Sequence, residues 1–130
     1  WLRKLHEVSR QFSKEHPEVA ERVQNWDSIH DSVLKGAAEP QIPKDEANFG
    51  VIHGDLNVSN YFTFGSEFEL SVFDWDQTQR SWYLYDLAQL VWSVTMSVLG
   101  GMPMSGAKIE NINLEQYTKW ICEAYGDVDA

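Results

Sequence analysis

A mainly helical α+β domain is what this sequence predicts, on three observations. Apolar residues recur at helical spacing towards both ends of the chain, short apolar runs bounded by turn residues interrupt that spacing in the middle, and the composition is globular. Hydrophobic residues make up 43% and aromatics 13% of the 130 residues, with six Trp, which separates the chain from disordered sequences. A chain of this length fits one domain and buries roughly two-thirds of the surface its unfolded form exposes.

Trp1, Leu5, Val8 and Phe12 share one face of a first helix. Pro17 opens a second, whose apolar face is Val19, Val23, Trp26, Ile29 and Val33, so two helices are expected in the first 35 residues. Gly36 to Asn48 carries Pro40, Pro43, Lys44, Asp45 and Glu46 without a period and reads as a loop. Two or three short strands follow: Phe49 to His53, Asn60 to Phe64, and Phe68 to Phe73, with Gly65-Ser66 as the turn between the last two.

Leu87, Leu90, Val91, Val94 and Val98 mark a further helix, which Asp86 is expected to cap and Gly100-Gly101 to end. The stretch from Met102 to Glu110, with Pro103 and Gly106, reads as a flexible connection. A last helix runs from about Asn113 to Tyr125, with Leu114, Tyr117, Ile121 and Ala124 as its apolar contacts.

Twenty acidic against ten basic side chains give a formal charge of -10. That excess repels nucleic acid and anionic membrane surfaces and suits a cationic substrate or a divalent metal, although it also serves plain solubility. The single cysteine, Cys122, forms no internal disulfide, and neither a zinc-spaced Cys/His cluster nor a signal-peptide pattern is present, so a cytoplasmic setting is expected. No apolar run approaches the length of a membrane span; the longest candidate, Leu87 to Leu99, is broken by Gln89, Ser93, Thr95 and Ser97. His6, His16 and His30 have no metal-spaced partners and read as surface or packing residues.

The chemistry concentrates in Val51-Ile-His-Gly-Asp-Leu-Asn-Val-Ser-Asn60 and in the strand end Phe73-Asp74-Trp75-Asp76. A strand delivers Asp55 into a loop, Asn60 stands at the start of the return strand, and Asp74 at the end of another strand can face them. Such a set suits phosphoryl transfer, in which one carboxylate orients and deprotonates a hydroxyl while an Asn and a second carboxylate hold Mg²⁺. His53 can bond backbone to fix the loop, and Gly54 permits a dihedral or close approach that a side chain forbids. Taken singly, Asp55 and Asn60 are also common turn residues; their occurrence with Asp74 and His53-Gly54 favours the functional reading.

His53-Gly54-Asp55-Leu56-Asn57-Val58-Ser59-Asn60 resembles the HGDxxxxN catalytic loop of the aminoglycoside phosphotransferase and choline kinase family, and Phe73-Asp74-Trp75-Asp76 resembles its metal-binding strand end. Tyr85-Asp86-Leu87-Ala88 matches the Asp-Leu-Ala helix start common in that family, so the resemblance covers about Phe49 to Trp92. It implies a protein-kinase-like fold in which residues 1–130 are the C-terminal lobe, with the β-ribbon bearing the catalytic and metal residues. By position it implies Asp55 as catalytic base and Asn60 and Asp74 as Mg²⁺ ligands, with His53 and Asp76 in support, and ATP as phosphoryl donor to a small-molecule hydroxyl. One departure is that Val58-Ser59 replaces a frequent Pro-Gly or Pro-Ser; Asp76 stands where protein kinases have Gly, but an acidic residue there is frequent in the resembling family.

No Gly-rich phosphate loop and no strand Lys after a Val-Ala-Ile-like run precedes His53. The nucleotide-gripping N-terminal lobe is therefore expected to be missing from this chain, and the fragment to have weak or no turnover alone. The alternative is a non-catalytic remnant or protein-interaction module that retains the fold. A third reading, Asp74-Trp75-Asp76 as the metal motif of a glycosyltransferase, leaves His53 to Asn60 unexplained.

Overall fold

The helical spacing at the start of the chain becomes α1 (Leu2–Glu15), which ends where the His16 amide donates to the Phe12 carbonyl. The computed structural model describes residues 1–30, 40–100 and 111–126. The second expected helix is instead two short pieces, α2 (Pro17–Ala20) and α3 (Trp26–His30). Gln24 and Asn25 leave the helical path because strand β4 (Gln79–Trp82) recruits them: the Arg80 amide donates to the Gln24 carbonyl at 2.7 Å, and Asn25 forms a parallel bridge to Arg80. Asn25 then starts α3, its carbonyl accepting from the Ser28 amide at 3.0 Å and hydroxyl at 2.7 Å. Val33, the first part of the Gly36 to Asn48 loop, Gly101 and the Met102 to Glu110 connection lie outside the described residues, as does the side chain of Ile29.

The middle of the chain forms two separate two-stranded antiparallel sheets. β1 (Phe49–Ile52) pairs with β4 in the register Phe49↔Trp82 to Ile52↔Gln79. β2 (Tyr61–Phe64) pairs with β3 (Glu69–Val72) in the register Tyr61↔Val72 to Phe64↔Glu69. Sequence reading missed β4, because Gln-Arg-Ser-Trp has no apolar alternation; Gln79 and Ser81 are nonetheless buried at 1% and 0% exposure.

Alternation sends Tyr61, Thr63, Leu70 and Val72 to one face of the hairpin and Phe62, Phe64, Glu69 and Ser71 to the other. On the first face Tyr61 and Leu70 meet Leu56, Leu90, Tyr117 and Ile121 around an apolar cavity of about 200 Å³. On the second, Phe62 and Phe64 are exposed, and the Phe62 ring lies 5.9 Å from that of Phe73.

α4 runs Tyr83–Val98 and α5 runs Leu114–Tyr125, the latter capped by Asn113, whose side chain accepts from the Gln116 amide. The expectation that Asp86 caps the helix after the strands is corrected here. α4 begins at Tyr83, its N-cap is Trp82 without a side-chain bond, and Asp86 lies inside the helix. Its carboxylate is thereby free to turn towards β1 and the loop beyond.

Helix α1 lies on β1, fastened by the Ser9 hydroxyl donating to the Val51 carbonyl at 2.6 Å. The core is formed by Ala20, Ile52, Leu56, Trp82, Tyr83, Leu87 and Val94. Of the aromatics near the site, Trp82 and Tyr83 belong to this core, whereas Trp75 is 43% exposed. Among the described residues no helix is long and apolar enough to cross a membrane.

Candidate active site

β1 ends at Ile52, and the chain leaves it through His53-Gly54 into the loop that carries Asp55. Gly54 has φ +86, and a Cβ there would collide with the carbonyl oxygen of Gln77 and lie 2.9 Å from Nε2 of Gln79. Only glycine meets both demands, a left-handed backbone and no side chain. The amides of His53 and Gly54 each donate to Asp86, at 2.9 Å to Oδ2 and 2.9 Å to Oδ1. Asp86 is wholly buried and also meets Nε2 of His6 at 3.1 Å. One carboxylate from α4 thus fixes the point where the loop leaves the sheet.

Within the loop, Leu56 is the hydrophobic anchor. It is 2% exposed, and burial of such a side chain stabilises by about 1.5–3 kcal/mol. Holding Leu56 inward turns its neighbour Asp55 towards the partly open side, where that residue is half-buried. The Asp55 carboxylate is held at both oxygens: Nδ2 of Asn57 donates to Oδ1 at 2.9 Å, and Nδ2 of Asn60 to Oδ2 at 2.9 Å. Asn60 Nδ2 also donates to the Asp55 carbonyl at 2.8 Å, and Asn57 Oδ1 accepts from the Ser59 amide at 2.8 Å.

Asn60 has a consequence for metal binding. Both partners of its amide group are acceptors, so its nitrogen faces Asp55 and its Oδ1 faces elsewhere, without a hydrogen bond to a described residue. An amide oxygen and the Asp74 carboxylate are hard donors of the kind Mg²⁺ takes, with water and phosphate completing its octahedron. The residues present therefore fit that ion. Among the described residues no group of three His, Cys, Asp or Glu is gathered as a metal centre.

The strand end carrying Asp74 is pinned to this loop. The Phe73 amide donates to the Asn60 carbonyl at 3.0 Å, and the Phe73 carbonyl lies 3.0 Å from Nε2 of His53. The Asp55 amide donates to Nδ1 of His53 at 3.3 Å, so Nδ1 is the acceptor and Nε2 carries the proton given to Phe73. His53 is fully buried, its ring 4.5 Å from that of Trp75. Immediately after Phe73 the chain turns left-handed, with Asp74 at φ +64, a conformation that Asp and Asn tolerate better than other side chains.

Asp74 and Asp76 are both exposed in the turn leading to β4, and Asp76 has no hydrogen bond to a described residue. Tyr85 stands within electrostatic reach of the site. Burial pushes its phenol above the ordinary value, a hydrogen bond with Gln89 offsets part of the rise, and the negative charges of Asp55 and Asp86 add to it. His30 packs its ring against those of Trp26 and Tyr85, at 5.1 and 5.4 Å, and His16 is half-exposed.

Sequence reading missed two members of this arrangement. Asn57 occupies a loop position whose amide holds the proposed base, and the loop spacing alone did not distinguish it from turn chemistry. His6 is neither a surface nor a simple packing residue but a fully buried partner of Asp86. Helical spacing pointed away from it: His6 lies off the expected face of Trp1, Leu5, Val8 and Phe12, yet His6 and Ser9 are buried while Trp1, Val8 and Phe12 are exposed.

The model of the phosphotransferase enzyme family (APH) matches residues 1–108. No curated protein matches the chain.

Proposed function

The chain belongs to the phosphotransferase enzyme family, and from that premise we propose that it transfers the γ-phosphoryl group of ATP to a hydroxyl of a small molecule, as the C-terminal lobe of a protein-kinase-like fold. Asp55 is the base. The acceptor O–H gives its proton to an Asp55 carboxylate oxygen as the hydroxyl oxygen bonds to the γ-phosphorus; the bond from that phosphorus to its bridging oxygen breaks, and ADP leaves. The amides of Asn57 and Asn60 hold the carboxylate in one orientation, while each of its oxygens keeps a lone pair for the acceptor.

Asp74 and Oδ1 of Asn60 are the ligands that would hold Mg²⁺, with Asp76 in support. The ion supplies neutralisation of phosphate charge. His53 keeps the base and the metal ligands in register through Phe73. The phosphates themselves need donors that these residues do not offer, so full turnover requires a nucleotide-gripping lobe in addition to this chain. The formal charge of -10 favours a cationic acceptor, such as an amino alcohol, and disfavours nucleic acid and membrane surfaces. A cytoplasmic setting completes the proposal.

The observation that carries this reading is the two-point hold on Asp55, which orders a half-buried carboxylate without using up its accepting capacity. The test is transfer of label from γ-labelled ATP to sugars, polyols and amino alcohols by the chain joined to a nucleotide-gripping lobe. Replacing Asp55→Asn is expected to lower kcat by roughly 10²–10⁴-fold; unchanged turnover would overturn the assignment.

A second reading, a non-catalytic module that binds a partner, draws on the outward aromatic face of Phe62, Phe64 and Phe73. It differs in outcome: Asp55→Asn would then alter nothing, and Mg²⁺ would leave nucleotide binding unchanged.

A further inference from the structure

Asp86 does not hold the catalytic loop alone. Behind it, His6 is fully buried with both ring nitrogens engaged: Nε2 is 3.1 Å from Asp86 Oδ2, and Nδ1 is 2.8 Å from the hydroxyl of Tyr125. Because Nε2 faces a carboxylate, which only accepts, it carries the proton; in the neutral ring Nδ1 then accepts from the Tyr125 O–H. The bonds run in one direction, from Tyr125 to His6 to Asp86, and Asp86 receives in addition the amides of His53 and Gly54. The His6 ring is wedged between Tyr83, 4.6 Å away, and Tyr125, 5.6 Å away, so it has little freedom to turn.

The three side chains come from three helices: α1 gives His6, α4 gives Asp86, and α5 gives Tyr125. Helix α5 lies beyond the residues that the family model matches. Gly126, its C-cap, closes against Arg3, whose Nη1 donates to the Tyr125 carbonyl at 3.3 Å. Tyr125 is thus held at its backbone by the start of α1 and at its hydroxyl by the middle of the same helix.

We propose that His6 and Tyr125 are positioning residues for the phosphotransferase loop, with α5 setting the orientation of His53-Gly54-Asp55 through His6 and Asp86. Each link leaves its neighbour a single acceptor geometry, and a fully satisfied buried network of this kind specifies one arrangement where a partly satisfied one admits several. Loss of the outermost hydroxyl leaves Nδ1 of His6 without its donor and removes the bond that favours the Nε2–H tautomer, which loosens the contact with Asp86 Oδ2. The role rests on the phosphotransfer reading, but the coupling of α5 to the loop does not.

Amide hydrogen exchange, followed by NMR on the 130-residue chain, tests the coupling without activity. The amides of His53 and Gly54 report on the network, and those of the β2–β3 ladder serve as the reference for global opening. Tyr125→Phe, which keeps the ring and removes only the hydroxyl, is expected to speed exchange at His53 and Gly54 by roughly three- to ten-fold relative to the reference. His6→Leu is expected to do so by more, and His6→Gln, which retains a donor near the Nε2 position, to restore most of the protection.

Equal acceleration at all sites, or no rescue by Gln, would reduce the residues to ordinary packing and overturn the proposal. If His6→Leu does not fold, the Tyr125→Phe and His6→Gln results decide the matter by themselves. A local effect of the expected size, with no phosphoryl transfer even by the chain joined to a nucleotide-gripping lobe, would leave the coupling intact and remove the phosphotransferase reading instead.

Discussion

Nε2 of His53 lies 3.0 Å from the carbonyl oxygen of Phe73, so a single imidazole fastens the loop that carries Asp55 to the strand end that delivers Asp74. The same ring accepts from the Asp55 amide. Its two nitrogens therefore measure the spacing between the proposed base and the proposed metal ligand.

Replacement His53→Leu keeps much of the volume but leaves the Phe73 carbonyl and the Asp55 amide without this partner. A loss of about 1–3 kcal/mol of stability is expected, as for a buried polar group left unpaired. Urea unfolding checks it: the midpoint should fall while the slope stays constant.

Gly54 and Gly65 form a matched pair. Both have positive φ, +86 and +71, but only at Gly54 would a Cβ strike its surroundings. Gly65→Ala is expected to cost about 1–2 kcal/mol, the left-handed penalty alone. Gly54→Ala should cost clearly more and also disturb the Asp55 loop, because the obstructing atom is the backbone carbonyl of Gln77. Parallel denaturation of the two variants separates steric collision from dihedral strain.

All five Tyr have phenols pushed above their ordinary value, with burial the largest cause at each. Tyr61 and Tyr117 both line the apolar cavity, and the second shows the largest rise. A phenol whose folded pKa exceeds its unfolded one contributes stability that is intact below the unfolded value of about 10 and declines as the pH rises above it. An ultraviolet titration is expected to show little phenolate at pH 10 and then a cooperative rise together with loss of helical circular dichroism. Five independent, non-cooperative ionisations centred near pH 10 would contradict the burial.

How much of this was legible beforehand depends on whether a residue's role was local. The existence of α1, of the β2–β3 hairpin around Gly65-Ser66 and of α5 follows from neighbours within a few positions; the face that α1 buries does not, because Trp1, Val8 and Phe12 of the expected apolar face are exposed while His6 and Ser9 are buried. β4 does not: Gln79 and Ser81 are buried because β1 pairs with them and because the residues around Asn25 are drawn alongside, which no local pattern encodes. The same recruitment breaks the expected second helix at Gln24.

The site divides similarly. Asp55, Asn60 and Asp74 are candidates on motif spacing alone, and the hold on Asp55 by Asn60 is a contact within the loop. Asp86 was visible as a residue, but its work was not: a cap is inferred from adjacent sequence, whereas bonds to His53, Gly54 and His6 join positions that meet only in the fold. His6 was read as inert for the same reason.

The central claim is that Asn60 and Asp74 hold a divalent ion against nucleotide phosphates beside Asp55. The most direct measurement is a titration with ADP and Mn²⁺ in place of Mg²⁺, with paramagnetic broadening of assigned NMR signals as the readout, on the chain and on Asp74→Asn, a substitution that tolerates the left-handed backbone. Broadening centred on the Asn60 side-chain amide and the Asp74 backbone, and abolished in Asp74→Asn, is the expected result; broadening spread over other acidic surface, unchanged by that substitution, would contradict it.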